Sequence, residues 1–142
     1  MNSVLATLSG LPVSRDWVIF LAIDPGEKRS GLAVGNRLTQ TASPLRTLHA
    51  EGKAKWPLLQ EVVNEWQPHA VIMGVPYHPD GAEHDNTRMA KKWARQIEAR
   101  FRLPVIEVDE RYSTTEAHAL GARDPDAAAA CIILEQFLRS LP

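Results

Sequence analysis

Apolar residues fall along the chain in two rhythms. From Trp17 to Ile23 (WVIFLAI) they run without interruption, bulky and rich in β-formers, which predicts a buried strand. A polar excursion follows, and Gly31 to Val34 (GLAV) returns apolar as the hairpin partner. Gly35-Asn36 supplies the next turn, and Gln40 to Leu48 (QTASPLRTL) reads as a weaker third strand. Pro44 has no amide to donate, so that strand belongs at a sheet edge or carries a bulge. The pattern so far is an antiparallel meander.

The second rhythm is helical. Trp56 to Trp66 places Leu58, Leu59, Val62, Val63 and Trp66 at helical spacing, with Pro57 tolerated in the first turn. Ala70 to Val75 (AVIMGV) is wholly apolar, the pattern of a strand covered on both faces. Ala82 to Phe101 predicts a long helix with the stripe Met89, Trp93, Ile97 and Phe101. Arg88, Lys91, Lys92 and Arg95 lie on another face. Pro104 to Val108 is a fifth strand, Thr114 to Leu120 a short helix, and Asp126 to Leu138 a last one. Three strands followed by helices alternating with two more strands argue an α/β fold: a five-stranded mixed sheet, three strands antiparallel and then two parallel, with helices on both faces. Residues 1–16 read as a flexible tail and 17–142 as a single domain.

Composition narrows the function classes. At 142 residues and 44% hydrophobic content the chain has a core and about one domain's length. The net charge of −1 is not that of a protein that coats nucleic acid nonspecifically, so any polyanion must be met by a local patch or by bound cations. The single cysteine, Cys131, excludes an intrachain disulfide and fits a reducing compartment. No apolar run approaches the roughly 20 residues of a spanning helix, and the first residues do not read as a secretion signal.

Candidate chemistry lies in the acids. Asp24 follows the first strand, Asp109-Glu110 the fifth, and Asp126 opens the last helix. Ligand sites of α/β sheets gather at the carboxyl ends of parallel strands, where the first and fifth strands can place these groups together. Crowded carboxylates raise one another's pKa unless a cation compensates. Carboxylate oxygens suit Mg²⁺ or Mn²⁺, and the chain offers no Cys/His set suited to zinc. Each acid alone also has an ordinary account: Asp24 as a turn residue, Asp109-Glu110 as a cap, and Asp126 at a helix N-terminus.

Four stretches together resemble the YqgF/RuvX family: DPGEKRSGLAVG at 24–35, VIMGVPYHPDG at 71–81, VDERYSTTEA at 108–117 and DPDAAAACIILEQFL at 124–138. The resemblance implies an RNase H-like fold and Mg²⁺- or Mn²⁺-dependent phosphodiester hydrolysis in 5′-end processing of pre-16S rRNA, in the cytoplasm. Related resolvase-like members extend the implied substrate to branched DNA. On the matching positions it implies Asp24, Glu110 and Asp126 as the catalytic, metal-binding set. Asp109 is the reserve ligand, because adjacent side chains in an extended segment point opposite ways. The stretch before the last aspartate, HALGARDPD, is shorter than in relatives and lacks their lysine.

Lys28, Arg29 and Arg111 are the candidate phosphate contacts; solvated turn charges and a structural ion pair are the rival accounts. The basic residues of the long helix track a backbone or simply face solvent. The histidines read as surface or structural, the tryptophans as core, and Cys131 as core rather than a nucleophile. Three other functions fit the same residues: a non-catalytic factor that binds rRNA or a ribosomal or rRNA-processing protein, a Holliday-junction nuclease, and an actin-like nucleotide-binding module suggested by D-x-G and GLAVG. The last normally needs two related domains, and the chain has room for one.

Overall fold

The first three apolar stretches form the expected meander: β1 (Ile19–Asp24), β2 (Arg29–Asn36) and β3 (Thr41–His49). The structure is a computed structural model that describes residues 13–110 and 123–142. β4 (Ala70–Val75) and β5 (Val105–Asp109) then add in parallel on the other side of β1, giving the sheet order β3-β2-β1-β4-β5. β3 is an edge strand, and its register against β2 shifts where Ala33 meets Pro44. An edge and a bulge are the two places where a missing amide does least harm to a ladder.

Among the described residues, three α-helices cover the sheet: α1 (Lys55–Trp66), α2 (Asp85–Phe101) and α3 (Pro125–Ser140). Strand alternation divides the core between the two faces. Leu21, Ile23, Met73 and Val105 pack with Trp56, Leu59 and Val62 of α1 and with Trp93 and Ile97 of α2. Phe20, Ala22, Ile72 and Ile106 pack with Ile133, Leu134 and Phe137 of α3. There the Phe20 and Phe137 rings meet edge-on with centroids 5.2 Å apart, a geometry that adds about 1 kcal/mol to simple burial. Val13 is also buried in this second cluster.

Four sequence expectations shift. Gly35 and Asn36 do not make the turn after β2: they pair with Phe20 and Ile19 in the ladder, and the turn falls at residues 37–40. α2 begins at Asp85 rather than Ala82, because Asp80 ties the Ala82 amide into a turn and His84 caps the helix, its Nδ1 accepting from the Asn86 N–H. α3 begins one residue before Asp126, and its cap is Asp124, which accepts from the Ala127 N–H. On α1 the buried residues are Trp56, Leu59 and Val62, while Leu58 and Trp66 are exposed. The short helix expected over Thr114 to Leu120 lies outside the described residues, as do residues 1–12 of the expected tail. Among the described residues, no helix is long and apolar enough to cross a membrane.

Candidate functional site: a carboxylate cleft at one end of the sheet

β1, β4 and β5 run parallel, so their carboxyl ends share one edge of the sheet. Asp24 is the last residue of β1 and has the alternation parity of Phe20 and Ala22, which places it on the α3 face. Glu110 extends β5 by one residue, its N–H donating to the Val75 carbonyl at 3.0 Å. It has the parity of Ile106 and Val108, again the α3 face. Gly74 confirms the direction independently. A Cβ added there would lie 3.0 Å from Ile133 Cδ1 of α3 and 3.3 Å from Glu110 Cγ, so the Glu110 side chain folds over the bare backbone of β4.

Asp109 has the opposite parity and is exposed. Two residues earlier on that side, Glu107 is held above the usual carboxylate range by burial, with Lys91 and Arg95 of α2 opposing the shift. Asp109 therefore belongs with the α2 face.

Asp126 reaches the edge on α3. The helix start is small and apolar (Ala127 to Ala130), and β2 presents Gly31 at the point of contact. A Cβ on Gly31 would lie 1.8 Å from the Asp126 carbonyl oxygen, so only glycine permits this approach. Gly31 is also the cross-strand partner of Asp24. One glycine thus sets the last turn of β1 beside the first turn of α3. Asp124 fixes the helix further by accepting from the Thr47 hydroxyl of β3.

Asp24, Lys28, Arg29 and Asp126 line an open cleft of about 700 Å³, joined by Asn86 from the start of α2. Arg29 Nε stands 3.4 Å from Asp126 Oδ2; the Arg29 side chain is 65% exposed and that of Asp126 29%. The Ser30 hydroxyl braces the β1–β2 turn against the Gly26 backbone at 3.2 Å. Arg111, the third expected phosphate contact, lies outside the described residues, as do Tyr112, Thr114 and Thr115.

The donors are hard carboxylate oxygens, with neither thiolate nor imidazole in the cleft lining, and this chemistry suits Mg²⁺ or Mn²⁺. Among the described residues, no three His, Cys, Asp or Glu side chains are gathered at metal-ligand spacing. The acids share a face and an edge, and Arg29 stands as the counter-charge of Asp126.

The sequence reading missed two residues here. Asp124 carried a signal, since Asp followed by Pro is the pattern of a cap with proline at the first helical position. Asn86 carried none, because its place depends on how α2 crosses the sheet edge.

Comparison with known proteins bears on the whole fold. Residues 18–140 match the family model described as "RuvX: Holliday junction resolvase". The chain is 62% identical over 122 residues to a "Putative pre-16S rRNA nuclease" of Albidiferax ferrireducens, covering 86% of this chain and 78% of that one. It is 61% identical over 123 residues to a protein of the same name from Polaromonas sp., covering 87% and 89%. Among solved structures it is similar to a fowlpox virus resolvase bound to Holliday junction DNA, with TM-score 0.57, 12% identity, and 86% and 97% of the two chains covered. It is also similar to T. thermophilus RuvC bound to a Holliday junction, with TM-score 0.50, 19% identity, and coverage of 87% and 98%. At these identities the two structures speak for a shared RNase H-like fold.

Proposed function

The chain belongs to the RuvX (YqgF) family, and from that membership we propose that it is a cytoplasmic nuclease that hydrolyses phosphodiester bonds in 5′-end processing of pre-16S rRNA. The observation that supports this reading is that Asp24 and Asp126, far apart in sequence, line one cleft, with Glu110 over Gly74 on the same face of the sheet.

Asp24, Glu110 and Asp126 are the residues that would hold Mg²⁺ or Mn²⁺. A hard divalent ion supplies Lewis acidity toward a phosphoryl oxygen and makes a bound water more acidic. The chain's own residues do the rest. The turn holding Lys28 and Arg29, braced by Ser30, presents two cations to a phosphate entering the cleft. Arg29 is well exposed and tied to Asp126 by one 3.4 Å contact, so the pairing is weak and readily exchanged for phosphate. Its guanidinium suits bidentate recognition of phosphate oxygens. Asn86 adds a neutral donor and acceptor to the cleft lining.

The test is cleavage of an end-labelled pre-16S rRNA beside a four-way DNA junction, with Mn²⁺, with chelator, and with Asp24→Asn. Cleavage of the rRNA that needs the metal and falls at least about a hundredfold in Asp24→Asn is expected. Cleavage of the junction alone would transfer the activity to branched DNA. Binding of the rRNA without cleavage of either substrate would favour a non-catalytic ribosome-assembly factor.

A further inference from the structure

A second concavity lies away from the carboxylates, between one side of α2 and the residues that lead from β3 into the start of α1. It encloses about 380 Å³, and its lining includes Lys53, Lys55, Trp56, Lys92, Trp93 and Gln96. Three of the chain's five lysines meet here, on a protein whose net charge is −1.

These lysines differ from Arg88 and Lys91 of α2, which have carboxylate partners. Arg88 pairs with Asp85 at 2.6 Å and Lys91 with Glu83 at 3.6 Å. Among the described residues, Lys53, Lys55 and Lys92 make no ion pair. Lys55 instead lies over indole rings, its Nζ 4.3 Å from the Trp93 centroid and 5.5 Å from that of Trp56. The Arg100 guanidinium covers Trp56 at 4.3 Å. Burial and the neighbouring Lys92 charge both push the Lys55 pKa down. A concavity lined by three ammonium groups and no carboxylate is complementary to an anion.

The position of the concavity indicates which anion. Asn86, Met89, Trp93 and Gln96 fall at i, i+3, i+7 and i+10, one side of α2. Asn86 lines the carboxylate cleft, and the other three line the basic concavity. From Asn86 to Lys92 and Gln96 the helix rises roughly 9 to 15 Å. A stacked strand spaces its phosphates about 3.4 Å apart along its axis, so this rise spans about three or four of them.

We propose that the concavity of Lys53, Lys55 and Lys92 is a second phosphate-binding site, which grips the nucleic-acid backbone a few nucleotides from the carboxylate cleft. The placement relative to a scissile bond rests on the nuclease reading; the binding itself does not. The site takes phosphodiester backbone, RNA or DNA, and reads charge rather than sequence.

The experiment is fluorescence anisotropy of a labelled 12-nucleotide RNA and of DNA of the same sequence, in chelator, across a salt series. Three proteins are compared: the parent, Lys53→Gln/Lys92→Gln, and a control of equal charge change, Arg15→Gln/Arg139→Gln. All four positions are exposed. The lysine double variant is expected to bind both polymers at least about tenfold more weakly. Its slope of log K against log salt should fall by about 1.4, the loss of two backbone contacts to a single strand. Reductive dimethylation read by mass spectrometry is expected to show Lys53 and Lys92 protected by the oligonucleotide. Equal affinities for the two double variants, no binding by the parent, or displacement by polyglutamate as effective as by unlabelled RNA would each overturn the site. A parent that binds in this lysine-dependent way yet cleaves nothing would sink the nuclease reading and leave the site standing.

Discussion

Gly31 and Asp126 touch through their backbones: a Cβ on Gly31 would fall 1.8 Å from the Asp126 carbonyl oxygen. Gly31 also faces Asp24 across the β1–β2 ladder. Gly31→Ala must therefore push the start of α3 off the sheet. A stability loss on the order of 2 to 3 kcal/mol is expected from overpacking, together with at least about a hundredfold loss of cleavage from the displaced carboxylate. Thermal melts and single-turnover cleavage check this, and a variant matching the parent in both would show that α3 is not fixed by this contact.

Asp124 holds α3 in two ways, accepting from the Ala127 N–H and from the Thr47 hydroxyl. Asp124→Ala is expected to cost about 1 to 2 kcal/mol as a lost cap, and Thr47→Val about 1 kcal/mol. Because the two side chains share a hydrogen bond, the double variant should be less destabilised than the sum of the singles. Urea unfolding of the four proteins measures that coupling.

Glu110 and Asp109 are adjacent in sequence and point to opposite faces. Glu110→Gln is expected to lower cleavage at least about a hundredfold, and Asp109→Asn less than about tenfold. The reverse order in parallel assays with Mn²⁺ would move the reserve ligand into the site and contradict the placement of Glu110 over Gly74.

Cys131 is 7% exposed, and its thiol faces Glu135 at 3.5 Å. Burial first, then the Glu135 charge, push its pKa up to about 11. At pH 8 the thiolate fraction is thus about one in a thousand, and iodoacetamide labelling of the native protein should be far slower than in urea. A folded pKa raised above the unfolded value gives stability that is full below the unfolded value, near 9, and declines as pH rises toward 11. Labelling rates and urea midpoints at pH 8 and pH 10 test both consequences.

Much of the sheet was legible along the chain. The unbroken apolar run of Ala70 to Val75 predicted β4 at its observed bounds, and Pro44 called for an edge or a bulge, of which the structure has both. Helix starts were less legible. The periodicity that predicts α2 continues back to Ala82, while the turn around Asp80 and the His84 cap decide where the helix begins. Leu58 fits the stripe of α1 and is nevertheless exposed, because the sheet covers the neighbouring rows that hold Trp56, Leu59 and Val62. The basic row of α2 looked uniform in sequence. Only the fold separates Arg88 and Lys91, which have carboxylate partners, from Lys92, which has none among the described residues.

The sequence by itself determined the strand and helix types and the positions of the acids at element ends, because side-chain period and turn chemistry are local properties. Strand alternation is local too and sets Glu110 and Asp109 on opposite faces; which of them shares the face of Asp24 follows from the pairing of β5 with β4 and the packing of α3 on that side. The tertiary structure decided that Gly31 is where α3 lands, that Asn86 enters the cleft, and that Lys53 and Lys92 meet across a shared concavity. Those are relations between elements distant along the chain, set by how the helices pack on the sheet, and no local pattern encodes them.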